Sequence, residues 1–176
     1  MAYKKRVETS NTEGSSTRSL SPEKLEARAR NVLLFQLSRS VKTKFQLAQT
    51  LQRREIPDEI ALPLLDRFEE AGLINDRACA QTIVASRRAT KSVSKALLRR
   101  ELAKKGVAPE LIAEVLSELS DESERELAEE LAIKRWRSMG ELPTETKERR
   151  LAGFLMRKGY ASSIVFAAIR KAKTQG

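Results

Sequence analysis

A segment of 19 residues occurs three times in this chain, and that recurrence limits the folds open to it more than any other feature. Residues 47–65 (LAQTLQRREIPDEIALPLL), 98–116 (LRRELAKKGVAPELIAEVL) and 151–169 (LAGFLMRKGYASSIVFAAI) align without gaps, at spacings of 51 and 53 residues. Leu47, Leu98 and Leu151 coincide, as do Leu51, Leu102 and Leu155. Ile56, Val107 and Tyr160 coincide, and so do Ile60, Leu111 and Ile164. Leu65, Leu116 and Ile169 close the unit. A fixed period near 50 residues points to a tandem array in which each unit completes its neighbour's core.

The helical spacing of the apolar residues makes the units helical, three helices each, with no convincing strand. The expected fold is all-α: a tandem array of three three-helix repeats, elongated and curved. The expected boundaries are 21–74, 75–120 and 121–172, with a disordered N-terminal tail at 1–20 and a short C-terminal tail at 173–176. Residues 1–20 are polar and carry no periodic apolar face.

Start and stop signals place the helices. Ser21-Pro22-Glu23 opens the first, with Leu25, Ala29, Val32 and Leu33 on its inner face. Thr43 and Gln46 form a capping box for the second. Pro57-Asp58-Glu59 opens the third, which contains Pro63, where a bend or a lost hydrogen bond is expected. Gly72 ends it as a left-handed cap. Asn75-Asp76 caps the first helix of unit two, Ser92 or Ser94 starts the next, and Pro109 starts the last. Gly106 and Gly159 hold equivalent places, so a turn with positive φ is expected there. Glu55 occupies that place in unit one, at a cost of about 1 kcal/mol if the turn is kept. In unit three, Ser123 and Glu126 read as a capping box, Thr144 starts the second helix, and the last helix runs from about Ser162 to Lys171. Asp121, Glu122, Glu124, Glu126, Glu129 and Glu130 crowd the start of the unit, where they favour the helix dipole.

Composition excludes several chemistries. The chain has no histidine and one cysteine, Cys79, so it has no histidine-dependent triad, no intramolecular disulfide and no cysteine-rich zinc site. Its seven glycines are scattered and form no phosphate loop. Cys79 reads as a small buried residue. No enzyme and no cofactor are expected. No apolar run reaches the length of a membrane span, and the N-terminus has no apolar signal core, so a cytoplasmic location is expected. Phe45, Phe68, Trp136, Phe154 and Phe166 lie on amphipathic helices and read as core residues.

The net charge is +10 and the pI about 10.0, which favours acidic or polyanionic partners. The densest basic stretch is Arg87, Arg88, Lys91, Lys95, Arg99, Arg100, Lys104 and Lys105, opposed only by Glu101. Lys91, Lys95 and Arg99 are spaced i, i+4, i+8 and read as a stripe down one helix, with Leu98 and Leu102 pointing inward. Arg149, Arg150, Arg157 and Lys158 form a secondary patch in unit three, and Arg53 and Arg54 a smaller one in unit one. A direct DNA-binding module and a helical scaffold for another protein both remain open on this evidence. A monomer is expected.

Residues 70–107 resemble the RecX family of bacterial recombination regulators. The matching segments are Gly72-Leu73-Ile74-Asn75-Asp76, Cys79-Ala80, Val84-Ala85-Ser86-Arg87 and Glu101-Leu102-Ala103-Lys104-Lys105-Gly106-Val107. The family has Phe where this chain has Cys79, a departure that trims the contact between helices. Residues 111–116 also fit, and the resemblance extends over residues 21–171. It implies an array of three-helix units that binds the RecA filament on single-stranded DNA. The basic charge adds direct contact with single-stranded or double-stranded DNA as a further expectation. The resemblance also implies that the protein suppresses RecA's ATPase, strand-exchange and coprotease activities. The repeat, the basic patch and the resemblance together make residues 87–105 the expected contact region.

Overall fold

The computed structural model describes residues 21–175, so the expectation for the N-terminal tail falls outside the described residues. Among these, all regular structure is helical. Unit one comprises α1 (Pro22–Arg39), α2 (Lys44–Gln52) and α3 (Asp58–Glu70). Unit two comprises α4 (Asp76–Lys91), α5 (Lys95–Lys104) and α6 (Pro109–Ser117). Unit three comprises α7 (Asp121–Arg137), α8 (Thr144–Arg157) and α9 (Ser162–Gln175).

Most boundaries follow the local chemistry. Ser21 caps α1, Asn75 caps α4 and Ser94 caps α5, each with its side-chain oxygen on a first-turn amide. Thr43 and Gln46 form the full reciprocal box at α2. Helix α3 runs on through Pro63, although proline supplies no amide to its ladder. Gly72, Gly106 and Gly159 take φ of 70°, 76° and 85°, and Glu55 adopts the same left-handed turn at 58°.

Two boundaries differ from expectation. Ser120, not Ser123, caps α7: its Oγ accepts from the Ser123 amide at 3.0 Å, which places Ser123 inside the helix. Both serines satisfy the local rule, and the earlier one wins because it adds a turn of helix. Helix α9 continues past Lys171 to Gln175, so residues 173–175 are helical, with buried Ala172 holding that last turn on the core.

The three units have separate cores. Leu33, Leu47, Leu51, Leu64 and Leu65 lie in the first, Leu98, Leu102 and Leu116 in the second, and Trp136, Leu151, Leu155 and Val165 in the third. The expectation that each unit completes its neighbour's core is therefore corrected, because the junctions are mostly polar. At the first, Thr43 Oγ1 donates to the Lys105 carbonyl at 2.6 Å and the Lys44 amide donates to Asp76 at 2.8 Å. At the second, the Ser94 amide donates to the Lys158 carbonyl at 3.2 Å and the Lys95 amide donates to Glu124 at 3.0 Å. Thr43 and Ser94 are equivalent in the repeat, as are Lys105 and Lys158. One clasp is thus used twice: the start of a unit's second helix closes on the glycine turn and first helix of the next unit.

Cys79 is buried in the first part of α4, as expected, and burial pushes its thiol pKa up. Phe68 and Trp136 are buried and Phe154 is half-buried. Phe45 and Phe166 are exposed at 45% and 57%, which corrects their assignment to the core. Phe45 instead lies along the Gly106 turn of the neighbouring unit. No helix among the described residues is long and apolar enough to cross a membrane.

Candidate functional site

The basic residues of unit two divide into structural and free groups. The helix breaks between Lys91 and Lys95. Ser92 is left-handed at φ 44°, and Ser94 turns its hydroxyl onto the Leu97 amide at 3.2 Å to start α5. Lys91 therefore ends α4 while Lys95 and Arg99 lie on α5, and the expected single stripe is corrected. The spacing was helical, but two serines within three residues offered the backbone a competing cap.

Arg87 is engaged. Its Nε lies 2.9 Å from both Glu101 carboxylate oxygens and its Nη2 2.7 Å from one of them. The Arg87 guanidinium holds the Glu101 carboxyl below its ordinary pKa. Arg88 crosses to unit three, where Nη2 donates to the Ser123 carbonyl and hydroxyl at 3.2 Å, and its Nη1 is buried without a partner. Lys95 also crosses, pairing with Asp121 at 2.6 Å. Lys105 lends its carbonyl to the first clasp. Arg87, Arg88 and Lys95 thus hold the fold through their side chains and Lys105 only through its carbonyl, while the Arg87–Glu101 pair and Lys105 also line the open groove between units one and two.

Lys91, Arg99, Arg100 and Lys104 remain exposed, and none joins an ion pair among the described residues. Lys91, Arg100 and Lys104 line an open groove of about 700 Å³, with Leu97 on its wall. Gln46 and Gln49 of α2 form the other side, so the groove spans units one and two. The sequence reading missed these two glutamines. Their contribution depends on α2 docking against the Gly106 turn, which no local pattern encodes.

The acidic start of α7 mainly serves internal partners. Asp121 pairs with Lys95, buried Glu124 receives the Lys95 amide, and Glu129 pairs with Lys171. Lys158 leaves the secondary patch: its Nζ donates to the Lys91 carbonyl, and burial and then the nearby Lys91 charge push its pKa down. Arg149, Arg150 and Arg157 stay exposed, and Arg135 of α7 joins them. No group of three or more His, Cys, Asp or Glu side chains among the described residues is placed to hold a metal.

Residues 75–116 match the second three-helix domain of RecX and residues 122–169 match the third. The chain is 40% identical over 172 residues to the regulatory protein RecX of Streptomyces coelicolor, covering 94% of this chain and 92% of the relative. It is 37% identical over 153 residues to that of Thermobifida fusca, covering 87% and 83%. The crystal structure of RecX from Lactobacillus salivarius superposes with a TM-score of 0.77 at 20% identity, over 86% of this chain and 99% of that one. A second crystal structure, of a regulatory protein RecX, gives 0.71 at 27% identity over 81% and 70%. With an all-helical repeat fold and similarity to RecX proteins over nearly its whole length, the chain belongs to the RecX family of regulatory proteins.

Proposed function

We propose that this chain is a non-enzymatic, cytoplasmic, monomeric regulator that docks along the RecA filament on single-stranded DNA and inhibits its ATPase, strand-exchange and coprotease activities. The observation that carries the reading is membership of the RecX family over 94% of the chain. The face assigned to the contact is Arg99, Arg100 and Lys104 with the groove beside them, because none of the three joins an ion pair among the described residues. We assign the three units to residues 21–74, 75–120 and 121–175. An array held by polar clasps can lie across several filament subunits, and occupying their groove would block subunit motion or entry of a second DNA strand.

The test is the single-stranded-DNA-dependent ATPase of RecA from the same organism, titrated with this protein. Inhibition is expected at protein levels well below that of RecA. Changing Arg99, Arg100 and Lys104 together to Glu should raise the concentration needed by at least about tenfold, equivalent to ~1.4 kcal/mol. Unchanged inhibition by that variant would refute the contact face. An inactive wild-type protein that binds bare single-stranded DNA tightly would favour a direct DNA-binding module instead.

A further inference from the structure

Unit three carries a second basic site whose construction differs from that of the groove. Arg135 from the end of α7 and Arg149, Arg150 and Arg157 from α8 surround a shallow bowl of about 460 Å³, with Gly153 and Phe154 between them. No carboxylate lines the bowl, and none of the four guanidiniums joins an ion pair among the described residues. Arg150, Gly153, Phe154 and Arg157 share one face of α8 through their spacing of three, four and seven residues. The Arg135 guanidinium lies 5.4 Å from the centre of the Phe154 ring, and Lys158 lies 5.5 Å from the same ring. The ring therefore orients Arg135.

Gly153 points to what the bowl accommodates. It lies well inside α8, where glycine is the least favourable residue after proline. Its φ is ordinary, so the backbone does not require it. A Cβ there would meet only Arg157 Nη1, at 3.3 Å, and that is the movable end of a flexible side chain. Neither the turn geometry nor the packing that demands Gly106 and Gly159 applies. A bare backbone between Arg150 and Arg157 does allow a ligand to approach the helix closely.

We propose that this bowl is a phosphate site, which takes two or more linked phosphate groups of a polyphosphate or phosphodiester chain. Planar guanidiniums match phosphate oxygens in pairs, and several of them converging without a counter-charge fit a multivalent anion. The Phe154 ring is already engaged by two cations, so recognition runs through phosphate and not through base stacking. The bound chain is held without sequence preference. The site stands apart from the RecA reading and is tested without RecA.

The experiment is calorimetric titration of the full chain at physiological salt, once with inorganic tripolyphosphate and once with a short oligodeoxythymidylate. Three variants accompany the wild type: Arg150→Gln with Arg157→Gln, Gly153→Ala, and Arg53→Gln with Arg54→Gln, both exposed, as the charge-matched control in unit one. The unit-three pair should lose at least about tenfold in affinity while the control pair stays within about threefold. Gly153→Ala should raise the thermal midpoint yet weaken binding severalfold, a divergence that a merely structural residue would not produce. Binding of tripolyphosphate by this pattern assigns a free polyphosphate as ligand, and binding of the oligonucleotide alone assigns the phosphodiester chain. The proposal is overturned if neither ligand binds, if both arginine pairs lose affinity equally, or if Gly153→Ala stabilises the protein without changing binding.

Discussion

Gly106 and Gly159 answer two demands at once. Each takes a left-handed turn, and each lies under the second helix of the preceding unit. A Cβ at Gly106 would fall 2.2 Å from Phe45 Cγ, and one at Gly159 would fall 2.5 Å from Ser94 Oγ. At position 55 only the first demand applies, because no unit precedes it among the described residues, and Glu is tolerated at φ 58°. Tyr160 works at the second junction, where its hydroxyl donates to the Ser92 carbonyl at 3.0 Å. Burial pushes its pKa from 10.0 to about 12. The folded state therefore favours the neutral phenol: its contribution is complete below about pH 10 and is lost as pH rises towards 12, at ~1.4 kcal/mol per pH unit. Tyr160→Phe should cost about 1 kcal/mol at neutral pH through the lost hydrogen bond. It should also flatten the alkaline fall in urea-measured stability relative to wild type. Parallel alkaline limbs would show that Tyr160 does not titrate with folding.

Helix α5 shows how one element serves three ends. Leu98 and Leu102 are buried in the core of unit two, Lys95 and the helix start fasten unit three, and Arg99, Arg100 and Lys104 face outward. Charge reversal should separate these roles. Arg100→Glu touches no partner and should change stability by no more than about 0.5 kcal/mol. Lys95→Glu gains ~0.5 kcal/mol from the helix dipole. It also sets a carboxylate against Asp121 and buried Glu124, for a net loss of about 1–2 kcal/mol. Chemical denaturation of the two variants measures the difference, and equal stabilities would show that the Lys95 contact carries nothing.

At the scale of the molecule, three separate cores are joined by two copies of a polar clasp. Such an array is stabilised mainly within units and only weakly between neighbours, so unfolding need not be all-or-none. Trp136 is the only tryptophan and lies in the third core. Leu51→Ala removes a fully buried side chain from the first core and should cost about 2–5 kcal/mol there. The helix signal in circular dichroism should then lose part of its amplitude at lower denaturant, while the Trp136 fluorescence midpoint stays nearly fixed. Equal shifts in both signals would mean that the clasps couple the units into one cooperative body.

The repeat, the helix type and most helix starts were readable from the residues, because caps, glycine turns and apolar periodicity act over only a few neighbours. So were the exposed Arg99, Arg100 and Lys104. Charge alone could not separate these from Arg87, Arg88 and Lys95, since an ion pair depends on which acid the fold brings within reach: Glu101 one helix away, Asp121 in the next unit. The glutamines of the groove and Arg135 of the bowl were missed for the same reason. The residues determined the units; the tertiary structure decided which of their cations hold the array together and which face solvent, because that depends on contacts between segments far apart in the chain.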